Sequence, residues 1–175
     1  MPQDRFLNWQ SKLEQKPWYR RFWVFFGIYS LAAVFLVGAY LLLVGDYKLV
    51  FLALVAFVIG RLVLSPLIFV FYKKQRPYQR LKFSTTFSYF LSPEQKHPNS
   101  FPSDHAVSFA AIAAVLFWYM PGLGVLMFVL TLVASYARVV LGYHDEFDII
   151  AGWGLGIFSA ILAIGFIAPL LFTGR

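Results

Sequence analysis

The chain has 175 residues, of which 60% are hydrophobic and only 13% are charged. A soluble domain carries charge on roughly a quarter of its residues, so most of this surface cannot face water. The formal net charge is +7, and because the basic residues stand beside apolar segments, membrane lipids and phosphates are better partners than nucleic acid. Cysteine is absent, which excludes disulfides and thiolate sites.

Five apolar segments predict an all-α, polytopic membrane helix bundle that forms a single domain. Residues 1–21 mix aromatic and basic side chains, which favours a helix in the membrane interface over a frayed basic tail. The glycine-rich and alanine-rich last segment is typical of close helix packing. The five spans are predicted at residues 22–44, 49–72, 103–120, 125–141 and 148–172.

The connections between spans predict where the polar segments lie. Turns are short after the first and third spans, whereas residues 73–102 form one long polar loop. This order of spans puts the amino terminus, the 73–102 loop and the turn at 142–147 on one membrane face. Because long loops in compact proteins are usually functional, we interpret residues 73–102 as an active-site loop.

Arg61 is an ionisable residue near the middle of the second span, close to the Ser65-Pro66 step. A guanidinium at that depth is costly unless it faces protein or water. Snorkelling, structural pairing and a functional role all stay open for it at this point.

Three polar clusters are predicted to meet on the shared membrane face. The first is Lys73-Lys74-Gln75-Arg76-Pro77, which on its own would be an interfacial anchor. The second is Pro102-Ser103-Asp104-His105, where Ser103 is expected to cap a helix whose first N–H groups attract anions. The third contains Arg138, His144 and Asp148, with His144 about one turn before Asp148 and within reach of a carboxylate–imidazole hydrogen bond.

Together the clusters contain what phosphoryl transfer through a covalent histidine requires. Cations neutralise the phosphate oxygens, one neutral imidazole attacks phosphorus, and a second imidazole protonates the departing oxygen. The loops offer too few carboxylates for a two-metal clamp, so no metal is expected.

This spacing resembles the type 2 phosphatidic acid phosphatase superfamily of membrane lipid phosphatases, relatives of the vanadium haloperoxidases. That family has the pattern Lys-x6-Arg-Pro, Pro-Ser-Gly-His and Ser-Arg-x5-His-x3-Asp. The corresponding segments here are Arg76-Pro77, Pro102-Ser103-Asp104-His105 and Ala137-Arg138-x5-His144-x3-Asp148, and the resemblance runs from about residue 49 to the end.

The resemblance implies a role for each site residue. His144 would be the nucleophile, Asp148 would orient it, and His105 would be the general acid that later activates water. The family works without a metal or another cofactor. The phosphate would be bound by Arg76, Arg138, Ser103 and backbone N–H groups near Asp104.

Three positions depart from the family pattern. Phe69 stands where the first motif has lysine, and Lys73 or Lys74 would supply the missing cation from a shifted position. Ala137 replaces a serine, which removes one hydrogen bond to phosphate. Asp104 replaces glycine, and its carboxylate should weaken phosphate binding unless Lys73, Lys74 or another cation balances it.

The Pro-Ser-Asp-His segment, the short chain and the bare Arg-Pro resemble bacterial undecaprenyl-diphosphate phosphatases. That resemblance implies hydrolysis of undecaprenyl diphosphate to undecaprenyl phosphate at the outer face of the bacterial plasma membrane. The positive-inside rule argues the opposite sidedness, because most basic residues lie on the predicted site face. The alternatives are a phosphatidate or phosphatidylglycerophosphate phosphatase, a small membrane transporter and a lipid-binding protein.

Overall fold

The computed structural model describes residues 3–80 and 99–172, and within these two ranges the regular elements are all helices. Residues 81–98, which make up most of the predicted active-site loop, lie outside the described residues, as do 1–2 and 173–175. The prediction of an all-α membrane bundle is confirmed.

The described residues form a helix near each of the five predicted spans, whose boundaries in a membrane stay predictions. Proline begins α2 and α6, where its missing N–H costs no helical hydrogen bond. The helices are α1 Gln3–Gln15, α2 Pro17–Leu43, α3 Tyr47–Phe71, α4 Pro77–Arg80, α5 Asp104–Tyr119, α6 Pro121–Val140 and α7 Glu146–Phe172.

Four of these helices, α2, α3, α6 and α7, are long and apolar enough to cross a membrane, so the chain is an integral membrane protein. The fifth predicted span, α5, has only 16 residues. At 1.5 Å per residue it measures roughly 24 Å, which is shorter than a hydrocarbon core of about 30 Å. It packs against α3, α6 and α7 and is the buried centre of the bundle.

Glycines on α7 allow this helix to approach α5 closely. A Cβ atom on Gly156 would lie 2.4 Å from the carbonyl oxygen of Val107, and one on Gly152 would lie 2.8 Å from that of Ser103. The predicted close packing of the last span is confirmed. This close packing places the start of α7 beside the start of α5. There the Ser103 amide donates to the Asp148 carbonyl oxygen at 3.0 Å.

The amino-terminal helix α1 lies at the same end of the bundle. Arg5 forms an ion pair with Glu146 at 2.8 Å, and the Gln10 side chain donates to the Val140 carbonyl oxygen at 3.1 Å. The predicted placement of the amino terminus near the 142–147 turn is therefore confirmed, while its position in the membrane interface stays a prediction.

Candidate active site

His144 lies in the turn between α6 and α7 and is almost fully buried. The turn begins at Gly142, whose φ of 80° favours glycine, and the Tyr78 amide donates to the Gly142 carbonyl oxygen at 3.2 Å. His144 Nδ1 lies 2.9 Å from the Ser100 carbonyl oxygen. Because a carbonyl oxygen only accepts, Nδ1 carries the hydrogen and Nε2 keeps its lone pair. The ring therefore presents a nucleophilic nitrogen.

Asp148 lies near this imidazole, with Oδ2 at 3.7 Å from His144 Nδ1. This distance allows an electrostatic contact, but the shorter hydrogen bond of the ring is the one that Nδ1 donates to the Ser100 carbonyl oxygen. The sequence assigned the orientation of the ring to Asp148 alone. The structure adds a main-chain acceptor that sets the tautomer directly.

Burial lowers the pKa of His144 below its ordinary value of 6.5. Asp148 opposes this shift, while the charges of Arg76 and Arg138 add to it. The imidazole is consequently neutral at neutral pH, which is the form that a nucleophile requires.

The fully buried carboxylate of Asp148 joins three segments of the chain. Its Oδ1 accepts from Lys74 Nζ at 2.6 Å, and its Oδ2 accepts from the Ser100 hydroxyl and, at 3.0 Å, from the Asp145 amide. Asp145 in turn caps α7 by accepting from the Asp148 amide at 3.2 Å. Asp148 thus holds the residues around His144 in place.

Lys74 is the lysine of the first cluster that enters the site. Its ammonium group lies 2.6 Å from Asp145 Oδ2 as well as from Asp148 Oδ1. Burial alone would lower the pKa of Lys74, but the hydrogen bonds to these carboxylates outweigh it and raise the pKa above the ordinary 10.5. Lys73 is exposed at the margin of the site. That either lysine binds substrate stays a prediction.

His105 meets Arg138 at the start of α5. Arg138 is buried in the last turn of α6, and its Nη2 atom contacts His105 Nε2. Because a guanidinium can only donate, His105 Nε2 accepts, and a neutral ring carries its proton on Nδ1. Arg138 also lies over the ring of Tyr143 at 5.5 Å, which connects His105 to the turn that holds His144.

Arg76 and Ser103 complete the predicted phosphate-binding set. Arg76 is 5% exposed, and its charge acts on His144. Ser103 is the N-cap residue of α5, as predicted, but its side chain makes no capping bond. The Ser103 hydroxyl is buried without a hydrogen-bond partner among residues 3–80 and 99–172. It is therefore a donor suited to a bound oxyanion.

Asp104, the carboxylate that replaces the family's glycine, is held by two groups of α3. Arg61 Nη1 lies 2.9 Å from Asp104 Oδ2, and the Ser65 hydroxyl donates to Oδ1 at 2.6 Å. The balancing cation that the sequence required is therefore Arg61. This pairing also excludes simple snorkelling as the account of Arg61.

Sequence reasoning missed two residues of the site, Ser100 and Asp145. Asp145 could have been identified from the sequence, because an acidic residue three positions before Asp148 and just before an apolar run is typical of a capping box. Ser100 belongs to none of the predicted clusters, although its hydroxyl donates to Asp148 and its main-chain carbonyl oxygen accepts from His144 Nδ1. In the part of the chain that the structure describes, no three His, Asp or Glu side chains are grouped to hold a metal ion.

The arrangement supports phosphoryl transfer. One buried neutral imidazole keeps a lone pair on Nε2, a second imidazole contacts a guanidinium, and the charges of Arg76 and Arg138 act on the first imidazole. Roles for the individual residues stay predictions.

Comparisons with known proteins agree with this chemistry. Over 68 residues the chain is 37% identical to a bacitracin transport permease protein BcrC of Bacillus licheniformis, covering 39% of this chain and 34% of that protein. Over 78 residues it is 33% identical to an undecaprenyl-diphosphatase of Sulfolobus acidocaldarius, covering 44% of this chain and 37% of that protein. The chain thus spans about a third of the length of these curated relatives. No solved structure gives a significant match.

The family comparison covers more of the chain. The PAP2 superfamily matches residues 47–170, a range that contains the residues of all three clusters. Since this range is well over half of the sequence, the chain belongs to the PAP2 superfamily.

Proposed function

We propose that this protein is a membrane lipid phosphatase that converts undecaprenyl diphosphate to undecaprenyl phosphate through a phosphohistidine on His144. The observation that carries the proposal is the hydrogen bond from His144 Nδ1 to the Ser100 carbonyl oxygen, which leaves Nε2 as the nucleophile. The choice of lipid rests on the Pro-Ser-Asp-His segment and on the relative named an undecaprenyl-diphosphatase.

In the first step, His144 Nε2 attacks the terminal phosphorus. The N–P bond forms while the bond from phosphorus to the bridging oxygen breaks, and its electron pair goes to that oxygen. His105 gives the departing oxygen a proton. Arg76, Arg138 and the Ser103 hydroxyl bind the oxygens of the transferred group, whose negative charge they stabilise in the transition state.

In the second step, water attacks the phosphohistidine. His105 accepts a proton from the water as the new P–O bond forms, and the electron pair of the N–P bond returns to His144 Nε2. Inorganic phosphate leaves, and both imidazoles regain their starting protonation. Asp148 supports both steps by stabilising the positive charge that appears on the His144 ring.

Arg138 would change partner during this cycle. In the structure its guanidinium contacts His105 Nε2, so that nitrogen accepts and holds no proton to give. A bound phosphate attracts the guanidinium more strongly than a neutral imidazole does, because the hydrogen bond is then charge-assisted on both sides. His105 Nε2 is thereby released to take up the proton that the first step requires.

One experiment tests the proposal. Purified protein in detergent, given undecaprenyl diphosphate and EDTA, should release phosphate, and His144→Ala should abolish the release. His97→Ala is the matched control, because it removes the histidine that no proposed step uses, and it should retain activity. Phosphate release that survives His144→Ala would overturn the proposal.

Two other functions have an observation in their favour. The name of the Bacillus licheniformis relative describes a transport permease, and Arg61 lies within a span, as expected of a transporter. A phosphatidate or phosphatidylglycerophosphate phosphatase would use the same site residues. Turnover of these two lipids and of polyprenyl diphosphates by one preparation separates the phosphatases, and a transporter would hydrolyse none of them.

We further propose that the protein lies in a bacterial plasma membrane with its site on the extracytoplasmic face. Glu14 on α1 and Tyr47 at the start of α3 are exposed at opposite ends of α2, and the chain has no cysteine of its own. A membrane-impermeant maleimide added to intact cells should label Glu14→Cys and leave Tyr47→Cys unlabelled. The reverse pattern would place the site in the cytoplasm.

A further inference from the structure

A cavity of about 200 Å³ lies beside His105, between helices α2, α3 and α5. His105, Ser108, Phe109 and Ile112 line it from one face of α5, so it follows that helix for roughly 10 Å away from the site. Its lining changes along this path. Polar groups stand at the His105 end, whereas Val34, Phe57, Phe109 and Ile112 supply apolar walls. The cavity therefore suits a molecule with a charged head and an apolar chain.

Arg61 brings a positive charge into this cavity. It lies in the π-helical segment Val58–Leu64 of α3, a distortion that is frequent at functional sites. The neighbouring Gly60 fixes this segment against α5 and α7, because a Cβ atom there would lie 2.8 Å from the Val107 side chain and 2.6 Å from Ser159 Oγ. The position of Arg61 is thus set by close backbone packing.

The side chain of Arg61 keeps donors in the cavity although it is paired with Asp104. A guanidinium has five N–H donors. Within the described ranges 3–80 and 99–172, Arg61 has one ion-pair contact, from Nη1 to Asp104 Oδ2 at 2.9 Å. Its side chain remains 32% exposed. Asp104 is itself satisfied by Arg61 and by Ser65, so the pair holds the guanidinium at the cavity wall.

We propose that this cavity binds the leaving group of the reaction and that Arg61 selects lipid diphosphates over lipid monophosphates. The inference rests on the proposed function, in which His105 contacts the departing oxygen. Because His105 also lines the cavity, the group attached to that oxygen enters the space between Arg61 and the apolar walls.

The charge of the leaving group explains the selectivity. A lipid monophosphate releases a neutral alcohol, which requires no cation beyond the proton from His105. A lipid diphosphate releases a lipid phosphate, which keeps a negative charge even after it takes up one proton. A guanidinium at the cavity wall stabilises that second phosphate through charge-assisted hydrogen bonds. The apolar walls then contact the first part of the lipid chain.

The test compares two substrates with the same polyprenyl chain, one a diphosphate and one a monophosphate, on each protein preparation. In Arg61→Gln, the ratio of kcat/KM for the diphosphate to kcat/KM for the monophosphate should fall by about tenfold to a hundredfold, the size expected for hydrogen bonds to a charged group. The ratio is independent of the fraction of folded protein, so partial misfolding does not affect it.

Two further variants address folding and charge. Arg61→Gln/Asp104→Asn removes both charges and leaves no uncompensated carboxylate, and it should show the same fall in the ratio. Arg5→Gln is the matched control, because it breaks an exposed arginine–glutamate pair outside the cavity, and its ratio should equal that of the wild type.

At the apolar end of the cavity, Ile112→Trp should raise KM for the long-chain diphosphate more than for a short-chain one.

An unchanged ratio in both Arg61 variants, or equal losses on the two substrates, would show that Arg61 supports the fold and would overturn the inference while the proposed function stands. A wild-type protein that hydrolyses neither substrate would overturn both.

Discussion

The two histidines of the site lie in different surroundings. The first half of the site, defined by His144, Ser100, Asp145, Asp148 and Lys74, is closed. His144 is 3% exposed, and Asp148 is not exposed at all. The main polar contacts of these five residues are with one another.

The second half of the site, defined by His105, Asp104 and Arg61, is open. The side chains of Asp104 and Arg61 are 20% and 32% exposed, and all three residues line the cavity that runs along α5. A rigid, dry environment suits the attacking atom, whose geometry must be preorganised. An open, mixed environment suits the part of the substrate that differs between lipids. We therefore expect changes in the closed half to reduce all reactions and changes in the open half to depend on the substrate.

The largest expected effect concerns His105. His105→Ala should slow hydrolysis of a lipid monophosphate by about 10² to 10⁴, because an alkoxide leaving group depends on a general acid. For an activated aryl phosphate, kcat/KM, which reports only the first step, should fall by less than about tenfold, since that leaving group needs little protonation. Steady-state kinetics with both substrates on the same variant checks this. Equal losses would mean that His105 is structural and that the two halves do not differ as described.

Lys74→Met tests the closed half through stability. The substitution leaves Asp145 and Asp148 buried without their ammonium partner. Removing one partner of a buried ion pair costs about 3 kcal/mol or more, and we expect a loss of that size in thermal or denaturant unfolding in detergent. Lys73→Met is the comparison, because Lys73 is exposed, and its effect on unfolding should be within about 0.5 kcal/mol. Similar losses in both variants would contradict the role of Lys74.

Asp148→Asn separates the two groups that hold the nucleophile. Where a carboxylate alone sets the tautomer of a catalytic histidine, as in serine proteases, this change costs about 10⁴ in rate. Here the Ser100 carbonyl oxygen accepts from His144 Nδ1, so the tautomer should survive and the loss should be only about a hundredfold on every substrate. A loss as large as that of His144→Ala would show that the carboxylate, and not the carbonyl group, positions the ring.

Much of the fold was predictable because its signals are local. Long apolar runs mark α2, α3, α6 and α7 as helices that could cross a membrane. The polar clusters could be located in the sequence for the same reason, since Ser103, His105, His144 and Asp148 stand at the ends of such runs, where a helix start and a turn bring polar groups together. Their catalytic roles stay predictions.

The remaining features depend on contacts between distant segments. The pairing of Arg61 with Asp104 arises only when α3 packs against α5. The sequence therefore indicated that a cation should balance Asp104, but it did not identify which residue supplies that cation. Lys74, and not Lys73, pairs with Asp148 because its side chain points toward that carboxylate, and the sequence does not show the direction of either side chain. His144 Nδ1 donates to a main-chain oxygen of Ser100, and the residue type at position 100 gives no clue to that contact. The shortness of α5 reflects its burial inside the bundle, where it need not match the thickness of lipid.

The smallest expected effect is a shift in the titration of His144. Because burial lowers its pKa, the ring should gain its proton only below the ordinary value of 6.5. The chain has three histidines, so the ring signals in an NMR titration can be assigned with His97→Ala and His105→Ala. A midpoint for His144 at or above 6.5 would contradict the closed environment.

The same shift links pH to stability with a defined sign. The unfolded chain takes up a proton at His144 near pH 6.5, whereas the folded chain takes it up only at lower pH. The unfolded state therefore binds more protons as the pH falls below 6.5, and the free energy of unfolding decreases. Unfolding in detergent at about pH 5.5 should accordingly be easier than at about pH 7.5. In His144→Asn this part of the pH dependence should disappear, and a dependence unchanged by that substitution would assign it to another group.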